Sequence, residues 1–180
     1  VFARTQRPPV EPCRLVRETN TKLNLASGYL PLKVGGVWGR RDVHTAIELL
    51  APTVTSHTLY YIYAFDSAGV TTLEASTTAH VSATQHGVRV KSGDETRTLV
   101  GATFAGTAGA FSDSATARMT ASWFNRPGKQ LRVTSASVYQ TSQTDYVEPD
   151  VNLRGQFITW GEDVDATLGG GDIRNDTANG

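Results

Sequence analysis

Histidine is the side chain in this sequence that most often binds metals or moves protons. The sequence contains four: His44, His57, His80 and His86. Metal sites place their histidines at set spacings, such as two on one helical face. His80 and His86 lie six residues apart in a polar stretch, which matches none of these spacings. We therefore predict that the histidines are surface or locally bonded groups, and that the chain holds no metal and no cofactor.

Two groups among the 17 carboxylates are candidates for chemistry, and neither has the spacing of a known catalytic or metal-binding motif. A calcium loop repeats its oxygen ligands at fixed positions, and a glycosidase holds two carboxylates about 5–9 Å apart. There is also no G-x-S-x-G nucleophile elbow and no phosphate-binding glycine loop. We predict that the chain is not an enzyme, with a glycan hydrolase as the weaker alternative. The two groups are an acidic tail of Glu162, Asp163, Asp165 and Asp172, and the acids Asp66, Glu74, Asp94 and Glu95 in or beside predicted turns.

Composition narrows the class of protein before any fold is considered. The 180 residues contain 17 Lys+Arg and 17 Asp+Glu, so the formal net charge is zero. Nucleic-acid binders usually show a basic excess, which argues against that class. No apolar run approaches the ~20 residues of a membrane-spanning helix, so we predict no membrane insertion. The chain begins without Met and ends in a Gly-rich tail, and we expect it to be a segment of a longer or processed polypeptide.

The single cysteine, Cys13, excludes an internal disulfide. A catalytic thiol needs a base and an oriented partner beside it, and the sequence places no such pair nearby. Free cysteines are often buried as small apolar side chains. We predict that role for Cys13.

Residues 58–100 carry the strongest structural signal, which is that of β-strands joined by turns. Residues 59–65 are aromatic and β-branched without helical periodicity. Residues 87–100 alternate apolar with charged side chains around a Ser-Gly-Asp-Glu turn, as in a β-hairpin. Together with the low charge and high Gly, Ser and Thr content, this pattern predicts an all-β, antiparallel β-sandwich, jelly-roll-like, with at most one short helix.

The remaining segments are assigned from turn, helix and linker signals. We predict an extended Pro-rich arm or linker at residues 1–12, a sandwich domain at 13–161 and a Gly-rich acidic tail, or linker to a further module, at 162–180. Residues 40–50 are the one segment that could form a short helix, with Asp42 as its cap. Residues 101–115 contain three glycines and are predicted to be a loop.

Aromatic side chains are the remaining candidates for binding. The two-residue period of a strand places Tyr61 and Tyr63 on the face opposite Tyr60. Exposed aromatic rings stack on sugars and form the centres of protein interfaces. The alternative is that these rings pack inside the sandwich. The candidate glycan or partner contacts are Trp38, Tyr61, Tyr63, Trp123 and Trp160.

Five segments of the chain resemble a recurring module of tailed-bacteriophage virion proteins, which are described as minor structural, tail-fibre or head-associated proteins. The resemblance extends over residues 13–160. Its motifs are strands and turns, and the family carries no catalytic residue to transfer. The segments are LYY at 59–61, LEASTT at 73–78, GVRVKSGD at 87–94, TRTLVG at 96–101 and SWFNR at 122–126.

The resemblance implies a structural protein at the surface of the phage particle. The expected role is a tail-fibre, receptor-binding or attachment module that assembles by contacts with other virion proteins. A homo-oligomer is expected, and a trimer is the form common in phages. A head decoration or head-spike protein is the first alternative, and a module that binds a host surface glycan is the second.

Overall fold

The computed structural model describes residues 11–51, 53–134 and 154–165. Within these residues every regular element is a β-strand, and none forms a helix that could cross a membrane. The strands are β1 (Leu15–Thr19), β2 (Lys22–Leu25), β3 (Gly28–Val34), β4 (Val37–Val43), β5 (Ile47–Leu50), β6 (Thr58–Ser67), β7 (Val70–Ser76), β8 (His80–Ser82), β9 (Arg89–Lys91), β10 (Asp94–Thr107), β11 (Ala110–Ser112), β12 (Ala117–Arg118), β13 (Thr120–Ser122) and β14 (Gln156–Phe157).

Seven strands form the larger sheet, which is organised around the 14-residue strand β10. Its order is β7-β6-β10-β9-β8, and β11 and β13 also pair with β10. All of these pairings are antiparallel. A register shift between Leu99 and Gly101 interrupts the β6–β10 pairing, as a β-bulge does.

A second layer packs on this sheet and consists of the three strands β1-β2-β5 and the separate hairpin β3–β4. The backbone N–H of Leu15 in β1 donates to the Ser122 hydroxyl of β13 at 3.0 Å and ties the two layers together. The predicted all-β antiparallel sandwich is confirmed; the short pair β12–β14 is parallel. The apolar centre between the layers includes Leu15, Leu23, Leu25, Leu30, Leu32, Ile62, Ala64, Val100 and Phe111.

The hairpin predicted at residues 87–100 is present, and the strand-like run at 59–65 forms part of a second hairpin. Strand β6 turns into β7 through Ala68 and Gly69, which both have positive φ angles (51° and 87°). Strand β9 turns into β10 with Lys91 opposite Asp94. These elements form where alternation and turn residues agree, which is why they are predictable from local sequence.

The predicted helix at residues 40–50 is wrong, because this segment contains the end of β4 and all of β5. Asp42 does not cap a helix; its carboxylate accepts a hydrogen bond from Arg40 at 2.7 Å. Ile47 and Leu49 pack against the core while Glu48 and Leu50 are more exposed, which is the two-residue period of a strand. In a segment this short, the spacing of the apolar residues fits the helical period and the two-residue period of a strand equally well.

The predicted loop at residues 101–115 is also wrong, since β10 continues to Thr107 and β11 follows. Gly101 there serves close packing, whereas Gly109 takes a positive φ of 69° in the turn between β10 and β11. A Cβ on Gly101 would lie 2.5 Å from the Ala121 carbonyl oxygen and 2.6 Å from Leu15 Cδ2. Glycine within a strand often marks such a close approach of the backbone.

The two predicted terminal segments lie mostly outside the described residues. In the arm, Pro12 forms an isolated parallel bridge with Tyr29 of β3, and residues 1–10 are not described. At the other end, residues 162–165 are described and residues 166–180 are not. The predicted boundaries of the arm and tail stay predictions.

Cys13 is fully buried in the core, and burial raises the pKa of its thiol to about 12. A thiolate is the reactive form, so we expect the folded chain to resist alkylation by iodoacetamide near neutral pH. Labelling is expected to become complete once denaturant unfolds the chain. Mass spectrometry of the alkylated protein measures this, and rapid labelling of the folded chain would contradict the prediction.

Candidate functional site

Strand β6 presents alternate side chains to the two faces of the larger sheet. Tyr60 and Ile62 belong to the core, so Tyr61 and Tyr63 lie on the outer face. Tyr63 is nevertheless fully buried there, and its hydroxyl donates to the Thr78 carbonyl oxygen at 2.7 Å. Tyr63 therefore offers no surface to a ligand. It was predicted as a candidate contact residue, and its burial removes it from that set.

Three of the predicted contact residues, Tyr61, Trp123 and Trp160, meet on the outer face together with His80. We call these four side chains the aromatic cluster. The His80 ring centroid lies 5.4 Å from that of Tyr61, 5.9 Å from Trp123 and 5.7 Å from Trp160. Trp123 and Trp160 meet edge to face at 5.1 Å. Such T-shaped contacts are favourable because the positive ring edge meets the negative face.

The cluster fixes residues 154–165 against the sheet. The Trp160 indole N–H donates to the Ser122 carbonyl oxygen at 3.0 Å. Arg126 lies 4.3 Å above the Trp123 ring and donates to Glu162 at 2.9 Å. Glu162 also accepts from Thr159 Oγ1 and the Trp160 backbone N–H, at 2.5 and 2.7 Å. Residues from four separate parts of the chain therefore meet at one point.

His80 sits among these rings with its Nδ1 atom buried, and no described residue bonds to that atom. Burial, together with the positive charge of Arg89, lowers its pKa. The imidazole is therefore neutral near neutral pH and packs as an aromatic ring. Sequence reasoning assigned His80 to the surface or to a local bond, because nothing in the spacing of His80 connects it to either tryptophan.

An open groove of about 650 Å³ lies on the same face. Leu59, two residues from Tyr61, points to this face and stands opposite Phe104 of β10. Phe157 of β14 forms part of the wall and is 46% exposed, and Leu59 is 39% exposed. The groove is lined by His57, Phe104, Gly106, Ser112, Ala117, Met119, Gly155, Gln156 and Phe157, none of which carries a carboxylate or an amine.

Trp38 lies apart from the aromatic cluster, on β4. Its ring is 6.4 Å from that of His86, in an edge-on contact. Its indole nitrogen is buried and has no bonding partner in the described part of the chain. The structure therefore brings together three of the five predicted contact residues, buries Tyr63 and places Trp38 elsewhere.

The acids predicted in or beside turns each have a basic neighbour. Burial disfavours the charged form of Glu74, but hydrogen bonds from Lys91 and Arg97 outweigh this and lower its pKa. In the residues described, no group of three or more His, Cys, Asp or Glu is placed to hold a metal ion. These carboxylates therefore act as partners in ion pairs on the sheet surface. The pairs are Arg41–Asp66, Lys91–Glu74, Arg97–Glu74, Arg97–Asp94 and Lys33–Glu95.

Two of the carboxylates should make the fold sensitive to acid. Hydrogen bonds, first from Lys33 and then from Thr84, lower the pKa of Glu95 from 4.5 to about 2. The pKa of Glu162 is also lowered to about 2, and the hydrogen bond from the Thr159 hydroxyl is the largest cause. A group whose pKa is lower in the folded state stabilises the fold above its unfolded pKa, and that contribution disappears as pH falls toward the folded pKa.

We therefore expect the melting temperature to fall as pH drops from about 4.5 to about 2. Replacing Glu95 or Glu162 with Gln is expected to lower the melting temperature at neutral pH and to flatten the curve in that window. Thermal melts monitored by circular dichroism at several pH values measure both effects. Curves that coincide with that of the natural sequence would contradict the assignment.

Comparison with known proteins finds no matching family model, no matching curated protein and no matching solved structure. The class of protein is therefore defined by the fold and site alone: an all-β sandwich whose larger sheet carries an aromatic cluster and, on its outer face, a groove lined without a carboxylate or an amine.

Proposed function

We propose that the chain is a structural module of a tailed-bacteriophage virion, a tail-fibre or attachment module that assembles by protein–protein contacts. The proposal rests on the resemblance of five strand and turn segments to phage virion proteins. The observation that carries the assembly role is the groove, which is lined without a carboxylate or an amine, with exposed Phe157 in its wall and exposed Leu59 beside Phe104. Centres of protein interfaces are poor in charge and rich in aromatic side chains.

A module that binds another protein through this groove would bury Phe157 and Leu59 and leave the aromatic cluster intact. The cluster supports the groove because it fixes the segment that carries Phe157. Trp160 bonds to Ser122, and Ile158 donates its backbone N–H to Arg118 at 2.9 Å. A rigid surface binds more tightly than a mobile one, since less conformational freedom is lost on association.

Two experiments on particles of the phage that encodes the chain test the proposal. Immunogold labelling with an antibody against the chain is expected to mark the tail of intact particles. A phage carrying Phe157→Asp is expected to incorporate less of the protein, whereas Val164→Asp is the matched control, since Val164 is 57% exposed in the same segment. Absence of the label from particles would overturn the proposal.

The two alternatives give different outcomes in the same experiments. Gold particles on the capsid would identify a head decoration or head spike. Binding to a glycan array, lost on Phe157→Ala or Trp38→Ala, would identify a glycan-binding module. Protein contact is favoured over sugar stacking because the rings of the aromatic cluster pack on one another, and Arg126 covers one face of Trp123.

A further inference from the structure

Residues 154–165 are attached to the larger sheet through a small buried area. Ile158 and Trp160 are half-buried, and the other residues of this segment are exposed. Strand β14 adds two residue pairs with β12. The ion pair between Arg126 and Glu162 is exposed, and such pairs contribute little to stability. The ring contacts of Trp160 are therefore a principal attachment of the segment.

The Trp160 ring lies against His80, with 5.7 Å between the ring centroids. Histidine is the side chain that ordinarily changes charge between about pH 5 and 8. The His80 Nδ1 atom is buried, and no described residue bonds to it. In the neutral ring Nδ1 can keep a lone pair, but protonation makes both ring nitrogens donors. A proton on His80 would therefore leave a charged donor buried without an acceptor, which is costly.

The charges around His80 do not offset that cost. Lys91 stands directly opposite His80 across the β8–β9 pair, and the Glu74 carboxylate that bonds to Lys91 is thereby already paired. Burial is the larger cause that lowers the pKa of His80, and the positive charge of Arg89 is the second. The charged and titratable groups on the elements around His80 are Arg89 and Lys91 on β9, Tyr61 on β6, Glu74 on β7, Arg126 after β13, and Glu162, Asp163 and Asp165 in the attached segment.

We propose that His80 is a pH-sensitive latch, whose protonation detaches residues 154–165 from the larger sheet. The neutral ring packs against Trp160, whereas the charged ring is favoured in water, which reaches it when Trp160 moves away. Three residues of this segment, among them Phe157, line the groove, so detachment removes one of its walls. The detachment concerns the fold alone. Its consequence, that a protein bound in the groove is released in mild acid, rests on the proposed function.

The pH window follows from the direction of the pKa shift. Above 6.5, the ordinary pKa of histidine, the ring is neutral in both the attached and the detached state, so pH has no effect through His80. As pH falls below 6.5, the detached state binds the proton first and is favoured, until pH reaches the lowered pKa of the attached state. Glu95 and Glu162 lose their stabilising contributions only below about 4.5. Mild acid therefore separates the effect of His80 from theirs.

Hydrogen exchange of the full chain, followed by mass spectrometry at about pH 7.5 and about pH 5.5, tests the inference. Exchange rates are divided by those of an unstructured peptide at each pH, so that only the opening of the structure is compared. We expect the opening of residues 154–165 to rise several-fold at the lower pH. The limit is about tenfold, for one proton and a detached pKa of 6.5. Peptides from β6 and β10 are expected to show no rise.

His80→Phe keeps an aromatic ring in the cluster but cannot take up a proton. In this variant residues 154–165 are expected to open equally at both pH values. His44→Gln is the control for the removal of a histidine, because His44 is exposed between β4 and β5. That variant is expected to keep the pH response. A response that persists in His80→Phe, or no response in the natural sequence, would overturn the inference.

A proton NMR titration of the natural sequence gives a readout that needs no variant. The His80 ring signals are identified by nuclear Overhauser contacts with Trp123 and Trp160, and their midpoint is expected below 6.5. Cation–π attraction to the surrounding rings acts in the opposite direction, since it favours the charged imidazole. A midpoint above 6.5 would show that this attraction prevails and that a proton strengthens the attachment, contrary to the inference.

The two proposals fail in different ways. A pH-dependent opening that His80→Phe abolishes, in a protein that antibodies do not find on particles, removes the virion role and keeps the latch. Gold-labelled particles, together with an opening that does not change with pH, remove the latch and keep the virion role.

Discussion

Gly28→Ala is expected to destabilise the folded chain by about 3 kcal/mol, the upper part of the range for an overpacked core. A Cβ on Gly28 would lie 2.6 Å from the Cys13 nitrogen, 2.7 Å from the Cys13 Cα and 2.8 Å from the Glu11 carbonyl oxygen. All three are backbone atoms, so no side chain can rotate away. The bond between the Cys13 N–H and the Tyr29 carbonyl oxygen, at 2.9 Å, would be strained as well.

Gly39→Ala is the control for this substitution, since Gly39 occupies the partner strand of the same hairpin. A Cβ there meets no atom within 4 Å. We expect a stability change between zero and a gain of about 1 kcal/mol, because alanine restricts the unfolded chain more than glycine does. Urea unfolding of both variants measures the difference. Equal free energies of unfolding would show that the segment around Cys13 can move away from β3.

Trp160→Ala is expected to release residues 154–165 from the sheet while the sandwich stays folded. The substitution removes the ring contacts with Trp123 and His80 and the bond to Ser122. Loss of a half-buried tryptophan costs about 2–3 kcal/mol, somewhat below the cost at a fully buried site. That corresponds to roughly 30- to 150-fold faster hydrogen exchange at the Ile158 amide.

Hydrogen exchange followed by mass spectrometry measures this effect segment by segment. Peptides from β6 and β10 are expected to keep their protection, because the core beneath them is unchanged. Val164→Ala serves as the control, since Val164 is 57% exposed in the same segment. If exchange in residues 154–165 rises equally in both variants, the aromatic cluster does not hold this segment.

The parts of the fold that were predictable are those in which local signals agree with the final contacts. Strand β6 and the β9–β10 hairpin combine alternation with turn residues, and both are present. The segment at 40–50 was misassigned because its few apolar residues fit a helix and a strand equally well. Gly101 was assigned to a loop, although its role is to let β10 approach Leu15 and Ala121 closely.

The aromatic cluster could be predicted only in part. The sequence identified Tyr61, Trp123 and Trp160 as candidates by residue type. Their meeting point depends on which strands pair with β10 and on the return of residues 154–165, and neither is encoded in a local pattern. Tyr63 shows the same limit. The two-residue period placed it on the face opposite Tyr60, as observed, but it is buried there, with its hydroxyl bonded to Thr78.

The central position of β10 has a consequence for biosynthesis. Strands β1 to β5 leave the ribosome before β10, and the hydroxyl that holds Leu15 belongs to Ser122, 107 positions later. Pairings between such distant positions form slowly. A long loop must close first, and the conformational entropy lost in closing it is offset only once the contacts have formed. The apolar side of strands β1 to β5 is therefore expected to stay exposed on the nascent chain until residue 122 has left the ribosome, and chaperones have that interval in which to bind it.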